Sequence, residues 1–202
     1  MALLAALDIA DPPSTWAALG FSVVDDTVWV DNVAHRLGLA GAGVVGWELW
    51  GVADGALAAE GIPTVVVDEP EAPSPAPHAN SVVGLDHIVV MTPDHARTVA
   101  SLEGAGIECR RVRDLGPRVQ AFFRLGPVIL EVVGPAEATG DGPAELWGLA
   151  WTSSDLEATA ALLGDRLRAA KDAVQPGRRI ATLDASAGLS TLMTFMSPEP
   201  SR

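Results

Sequence analysis

Gly84-Leu85-Asp86-His87-Ile88-Val89-Val90-Met91-Thr92-Pro93-Asp94 is the stretch on which the reading of the chain turns. Its first eight residues end in a β-branched run of strand length, and Thr92-Pro93-Asp94 then offers an N-cap and a proline suited to a helix start. Val99 and Leu102 carry the helix's apolar stripe, and Gly104 with Gly106 ends it. Three strand-like runs follow at 107–113, 118–125 and 128–133, so the order is strand, helix, strand, strand, strand. The pattern then restarts. Leu146-Trp147-Gly148-Leu149-Ala150-Trp151-Thr152 reads as a strand running into a capping box, Ser154-x-x-Glu157. A helix carrying Leu156, Ala160 and Leu163 stops at Gly164, and extended runs lie at 167–173, 179–183 and 189–196. A supersecondary unit that recurs in this way marks an internal repeat.

Upstream, the segment 68–82 contains prolines at 70, 73, 75 and 77. Proline supplies no ladder donor and favours extended polyproline geometry, so this segment is expected to be a semi-rigid linker. Before it, residues 1–67 read as a third, diverged copy of the unit. Its first strand is 3–9, its helix starts at Asp11-Pro12-Pro13, its other strands are 23–30, 33–39 and 44–50, and a short strand-like tail lies at 64–67. The expected fold class is α+β, with tandem βαβββ modules at 83–135 and 144–198 in one domain, 83–198, plus the diverged leading module.

Composition narrows the partners. The chain has 202 residues, is 49% hydrophobic and sets 26 acidic against 13 basic side chains, for a formal charge of −13. It can bury a sizeable core, and it would be repelled by nucleic acid and by anionic membranes. The apolar start, 1–10, is too short to span a bilayer and lacks a basic leader, so a cytoplasmic protein is expected. Cys109 is the single cysteine, which forbids an intrachain disulfide, and it is expected as a buried residue of a strand. No glycine-rich phosphate loop, Cys-x-x-Cys or Gly-x-Ser-x-Gly is present. Trp16, Trp47, Trp147 and Trp151 are expected in the core, and His78 and His95 in solvent.

Paired βαβββ modules, and the run Gly84-Leu85-Asp86-His87-Ile88-Val89-Val90 in particular, resemble the glyoxalase, bleomycin-resistance and dioxygenase (vicinal oxygen chelate) superfamily. The resemblance implies a curved, cup-shaped mixed sheet with helices on its convex side. It further implies a divalent metal in the cup, held by a His on the first strand and a Glu on the last strand of each module. His87 and Glu131 match these positions in the first module, whereas Gly148 and Thr194 fall on them in the second. Glycine has no side chain and a threonine hydroxyl is a poor metal donor, so two ligands stand where catalytic sites usually keep three. Glu48 could complete the set if the leading module paired against the second. The resemblance thus leaves open one divalent metal (Fe, Mn, Mg, Zn or Ni) or none. It leaves three readings: a metal-dependent lyase, isomerase or dioxygenase, a metal-free small-molecule or drug-binding protein, or a scaffold whose cup is filled by side chains. An odd number of modules points to a homodimer.

Strand parity gives an independent test. Leu125-Gly126-Pro127-Val128 reads as a tight connection, which sets Arg124 against Ile129, Phe122 against Glu131 and Gln120 against Val133. The other face of these two strands is uniformly apolar, so Gln120, Phe122, Arg124 and Glu131 are expected to line the cup. In this reading His87 and Glu131 ligate metal or exchange protons, while Arg124, Gln120, Phe122, Gly148 and Thr194 surround a small, organic, anionic ligand. The alternative for Glu131 is an ion pair with Arg124, since a buried carboxylate is costly unless compensated. Gly148 marks either empty pocket volume or close backbone approach.

Overall fold

The computed structural model describes residues 1–200 other than Asp54, Ala56 and Pro75, so the linker proline at 75 lies outside the described residues. In chain order the elements are β1 (Leu3–Ile9), α1 (Pro13–Ala18), β2 (Thr27–Val30), β3 (Val33–Arg36), β4 (Val44–Trp50), β5 (Thr64–Val67), β6 (Val82–Met91) and α2 (His95–Gly104). There follow β7 (Arg111–Asp114), β8 (Arg118–Leu125), β9 (Val128–Pro135), β10 (Glu145–Ser153), α3 (Leu156–Leu163), β11 (Lys171–Asp172), β12 (Arg179–Thr182) and β13 (Leu192–Met196). Among the described residues no helix is long and apolar enough to cross a membrane.

The two expected modules form one eight-stranded sheet in the order β11-β12-β13-β10-β6-β9-β8-β7. In each module the first and last strands are parallel, β6 with β9 and β10 with β13, and the modules join through the antiparallel pair β6 and β10. One face is dry: Ile88, Phe123, Leu130, Trp151 and Phe195 are at most 1% exposed, and α2 packs there against β9. Both helices begin on an aspartate. Asp94 accepts from Arg97 N at 3.0 Å and Asp155 from Ala158 N at 2.9 Å, each satisfying an orphan donor of the first turn. The expected cap at Ser154 therefore moves one residue on, and the Ser154 hydroxyl instead donates to Ser81 O at 3.1 Å. Cys109 is half-buried and precedes β7 rather than lying in a strand.

The leading unit corrects its expectation in an informative way. It is not a single βαβββ module, because the parallel partner of β1 is β3 (Leu7 opposite His35), while β4 runs antiparallel to β1. The segment expected as a tail is β5, parallel to β4. The order β2-β3-β1-β4-β5 reproduces the order and strand senses of β8-β9-β6-β10-β13. Residues 1–67 are thus a trimmed copy of the whole two-module sheet, lacking its outer strands. The count of three modules, on which the homodimer expectation rested, becomes two pairs.

The two sheets pack through their apolar faces into one continuous core. Trp16 meets Trp151 edge-on with centroids 5.9 Å apart, His35 lies 5.0 Å from Trp151, and Phe21 reaches both Trp151 and Phe195. A buried clasp adds to this. The Asp11 carboxylate accepts from Ser190 N and Oγ, both at 2.6 Å, and from Thr191 N at 3.2 Å. Nor is the linker a free spacer: His78 accepts from Ser22 N through Nδ1 and reaches Trp29 O through Nε2, each at 3.1 Å. His78 is therefore pinned and His95 is buried, where both had been expected in solvent.

Candidate functional site

The register of β8 on β9 is the one that strand parity requires: Leu125 opposite Val128, Arg124 opposite Ile129, Phe122 opposite Glu131 and Gln120 opposite Val133. On the next ladder His87 pairs with Ile129 and Val89 with Glu131, which puts His87 and Glu131 on one face. His87 Nε2 stands 3.9 Å from Glu131 Oε2. Both open into a cavity of about 780 Å³, whose wall includes Gln120, Phe122 and Arg124.

A bulge does what alternation alone would forbid. Between β6 and β10 the pairing passes from His87 opposite Ala150 to Leu85 opposite Trp151, skipping Asp86. The extra residue brings neighbours in sequence to the same side of the sheet. Asp86 Oδ2 lies 2.9 Å from His87 Nδ1, and its Oδ1 meets Arg178 Nη1 at 2.7 Å and the Thr152 hydroxyl at 3.3 Å. Arg178 is 3% exposed and also donates through Nε to Ser197 O at 2.8 Å. Burial pushes the Asp86 carboxyl up, but the hydrogen bonds from His87 and Arg178 and their charges outweigh it and hold the pKa below the ordinary value. An ionised Asp86 can only accept, so Nδ1 of His87 carries a proton and Nε2 is the nitrogen that faces the cup, a lone pair in the neutral ring.

Glu131 has the opposite balance. Burial raises its pKa, and the pull of His87, the hydrogen bond from Gln120 Nε2 to Oε1 at 2.7 Å and the charge of Arg113 do not cancel that rise. Arg124 is not the partner of Glu131, because its Nη1 donates to Pro127 O at 2.7 Å across the β8–β9 turn. Sequence parity had missed Asp86, Arg113 and Arg178. Arg113 was legible in principle, standing opposite Gln120 and hence on the cup face. Asp86 and Arg178 carried no such signal.

In the second module, Thr194 pairs with Ala150 as Glu131 pairs with Val89, so Gly148 and Thr194 do occupy the counterpart positions of His87 and Glu131. A side chain at Gly148 would put its Cβ 3.2 Å from Leu192 O, so close backbone approach explains this glycine. A second bulge, between Leu146 and Gly148, ejects Trp147 from the core parity. Trp147 is 48% exposed and lines an adjoining hollow, against the expectation of a core residue.

No family model matches the chain, and no curated protein matches it. Solved structures do. A methylmalonyl-CoA epimerase from Mycobacterium tuberculosis is 18% identical with a TM-score of 0.48, the match covering 59% of this chain and 91% of that one. A Streptomyces coelicolor methylmalonyl-CoA epimerase, in complex with 2-nitronate-propionyl-CoA, gives the same identity and TM-score over 59% and 100%. A hypothetical protein from Bacillus halodurans is 14% identical, with a TM-score of 0.47 over 58% and 96%. The topology decides independently: two βαβββ modules, first and last strands parallel in each, joined antiparallel through their first strands. Residues 82–200 have the glyoxalase fold.

The metal that the glyoxalase fold implies can be tested on the donors present. His87 Nε2 and Glu131 Oε2 face a common volume, but the second module contributes no strong ligand there. Glu48 does not join them. It lies on the outer face of the leading sheet, held by Arg36 through Nη1 and Nη2 with Asp8 alongside, and the shared core separates it from the cup. Among the described residues no group of three or more His, Cys, Asp or Glu could hold a metal ion. Catalytic metal sites usually keep three protein ligands, and this donor set of one imidazole and one carboxylate falls short of that.

Proposed function

We propose that the cup binds a small organic anion and that His87 and Glu131 move a proton on it, an isomerase-type reaction next to a carbonyl. The observation that supports this is the pair itself: an imidazole whose Nε2 faces a carboxyl 3.9 Å away inside a cavity. Asp86 orients the imidazole from behind and stabilises the imidazolium once a proton arrives. The C–H bond adjacent to the carbonyl breaks, its proton passes to His87 Nε2, and the electron pair moves onto the carbonyl oxygen as an enolate. Glu131, whose protonated form burial favours, returns a proton to a neighbouring atom. An acid and a base this close together approach the substrate from one side. They suit a proton shift between adjacent atoms better than inversion at one carbon, which needs groups on opposite faces.

Solvent exchange tests this reading. A panel of anionic 2-oxo and 2-hydroxycarbonyl compounds is incubated in D₂O with the protein, and deuterium incorporation is followed by NMR. Incorporation is expected for at least one compound, with losses of about 10²–10⁴-fold in His87→Ala and in Glu131→Gln. The metal-free binding reading is favoured by the missing ligands of the second module. It predicts compounds that raise the melting temperature without any exchange, and that outcome would replace the proposal.

A further inference from the structure

The cup has two lobes of different chemistry, and the proton-transfer pair stands between them. The first is the cavity of about 780 Å³ and the second a hollow of about 410 Å³; His87, Gln120, Glu131 and Ile180 border both. Arg111, Arg113 and Arg124 project into the first lobe. The ladder explains why: Arg111 pairs with Phe122 and Arg113 with Gln120, so both share the face of Gln120, Phe122 and Arg124. The second lobe is walled by Val89, Met91, Val133 and Leu192, with the bulged Trp147 at its side and Arg118 at its rim.

These arginines are not used up by the fold. In a chain with 26 acidic and 13 basic residues, acidic partners are abundant. Yet neither Arg111 nor Arg113 has a side-chain hydrogen bond or an ion pair within 4.0 Å among the described residues, whereas Arg110 beside them pairs with Glu108 at 3.0 Å. The nearby Asp114 faces away and accepts from Gly116 N in its own turn at 2.7 Å. Arg124 spends one nitrogen on Pro127 O and keeps the rest of its fork. Three arginines on one concave face, where Glu131 is the one carboxylate of the cavity wall among the described residues, favour a multiply charged anion, and the planar guanidinium matches phosphoryl oxygens in a bidentate way. Trp147 is likewise spare, since a bulge lifts it out of the core and leaves its ring beside an apolar hollow.

We infer that the ligand is two-ended: a head with at least two negative charges, of the phosphate-ester class, seated at Arg111, Arg113 and Arg124, and a flat apolar end against Trp147. If the proton-transfer reading holds, the reacting carbon lies between the two ends, opposite His87 and Glu131. Calorimetric titration of the full chain with 2-naphthyl phosphate, inorganic pyrophosphate and 2-naphthol tests this. Naphthyl phosphate should bind about ten-fold or more tighter than either fragment. The double variant Arg111→Ser/Arg113→Ser should weaken naphthyl phosphate and pyrophosphate about ten-fold and leave naphthol alone, while Trp147→Ala should do the reverse for the two fragments. Equal binding of whole and fragments overturns the inference, and so does a variant that weakens both fragments alike or neither. Exchange and binding are both read on the unmodified full chain. Exchange that fails while the pattern holds therefore counts against proton transfer alone, and a failed pattern with exchange intact counts against the two-ended ligand alone.

Discussion

Glu131 in the cup and Asp86 behind the imidazole are carboxylates pushed in opposite directions, because Asp86 has the buried Arg178 cation and Glu131 has none in contact. Glu131 is a buried acid whose ionised form is disfavoured. Its folded pKa lies above the unfolded one, so it lowers stability at neutral pH and the penalty is relieved as pH falls through the folded pKa. Glu131→Gln should therefore raise the melting temperature at pH 8, and the gain should shrink on acidification, while proton exchange is lost. Thermal melts at several pH values check it; a variant less stable at pH 8 would show that the carboxylate is better compensated than its surroundings indicate. Asp86 behaves in the opposite sense. Asp86→Ala strands the buried Arg178 guanidinium, so a loss of about 3–5 kcal/mol is expected by urea denaturation. Asp86→Leu combined with Arg178→Met should recover much of that loss.

At the scale of elements, bulges in β6 and β10 separate what could be read from what could not. The hairpin of β8 and β9 follows from alternation and a short turn, which is why Gln120, Phe122, Arg124 and Glu131 share one face. Alternation fails where one strand carries an extra residue, since every side chain beyond it changes face. That single effect hid Asp86 from the site and Trp147 from the solvent. The two tryptophans of β10 should accordingly differ. Trp151→Ala, in the fully buried contact between the sheets, is expected to cost about 3–5 kcal/mol, and Trp147→Ala less than about 1 kcal/mol. Equal losses in chemical denaturation would mean that Trp147 packs into the core after all.

For the molecule as a whole, the shared core makes the leading unit part of the fold rather than an appendage. Trp151 and Phe195 of the glyoxalase-fold unit are covered by Trp16 and Phe21 of the other. Urea unfolding of the full chain is expected to show one transition by tryptophan fluorescence and by circular dichroism; two resolved transitions would mean that the units fold independently. Inside this interface His35 is buried and neutral, its pKa lowered from 6.5 to about 4, chiefly by desolvation, against a hydrogen bond to Val28 O. The unfolded chain binds the proton first. Stability is thus lost as pH falls from about 6.5 to 4, by about 3 kcal/mol from this residue. His35→Gln, which can still donate to Val28 O, should flatten the dependence of stability on pH in that window by about one proton; an unchanged slope would place the titration elsewhere.

The period of the chain by itself determined the paired βαβββ modules and the cup-facing parity of Glu131 on the β8–β9 hairpin, because alternation and turns are local properties. Tertiary structure alone decided that residues 1–67 pair as a shortened duplicate of the sheet behind them, and that Glu48 stands across the core from His87. It alone also set Asp86 and Arg178 behind the imidazole. Parallel pairing, bulges and buried ion pairs join residues far apart in sequence, and the energy that selects them exists only once the two apolar faces have closed on each other.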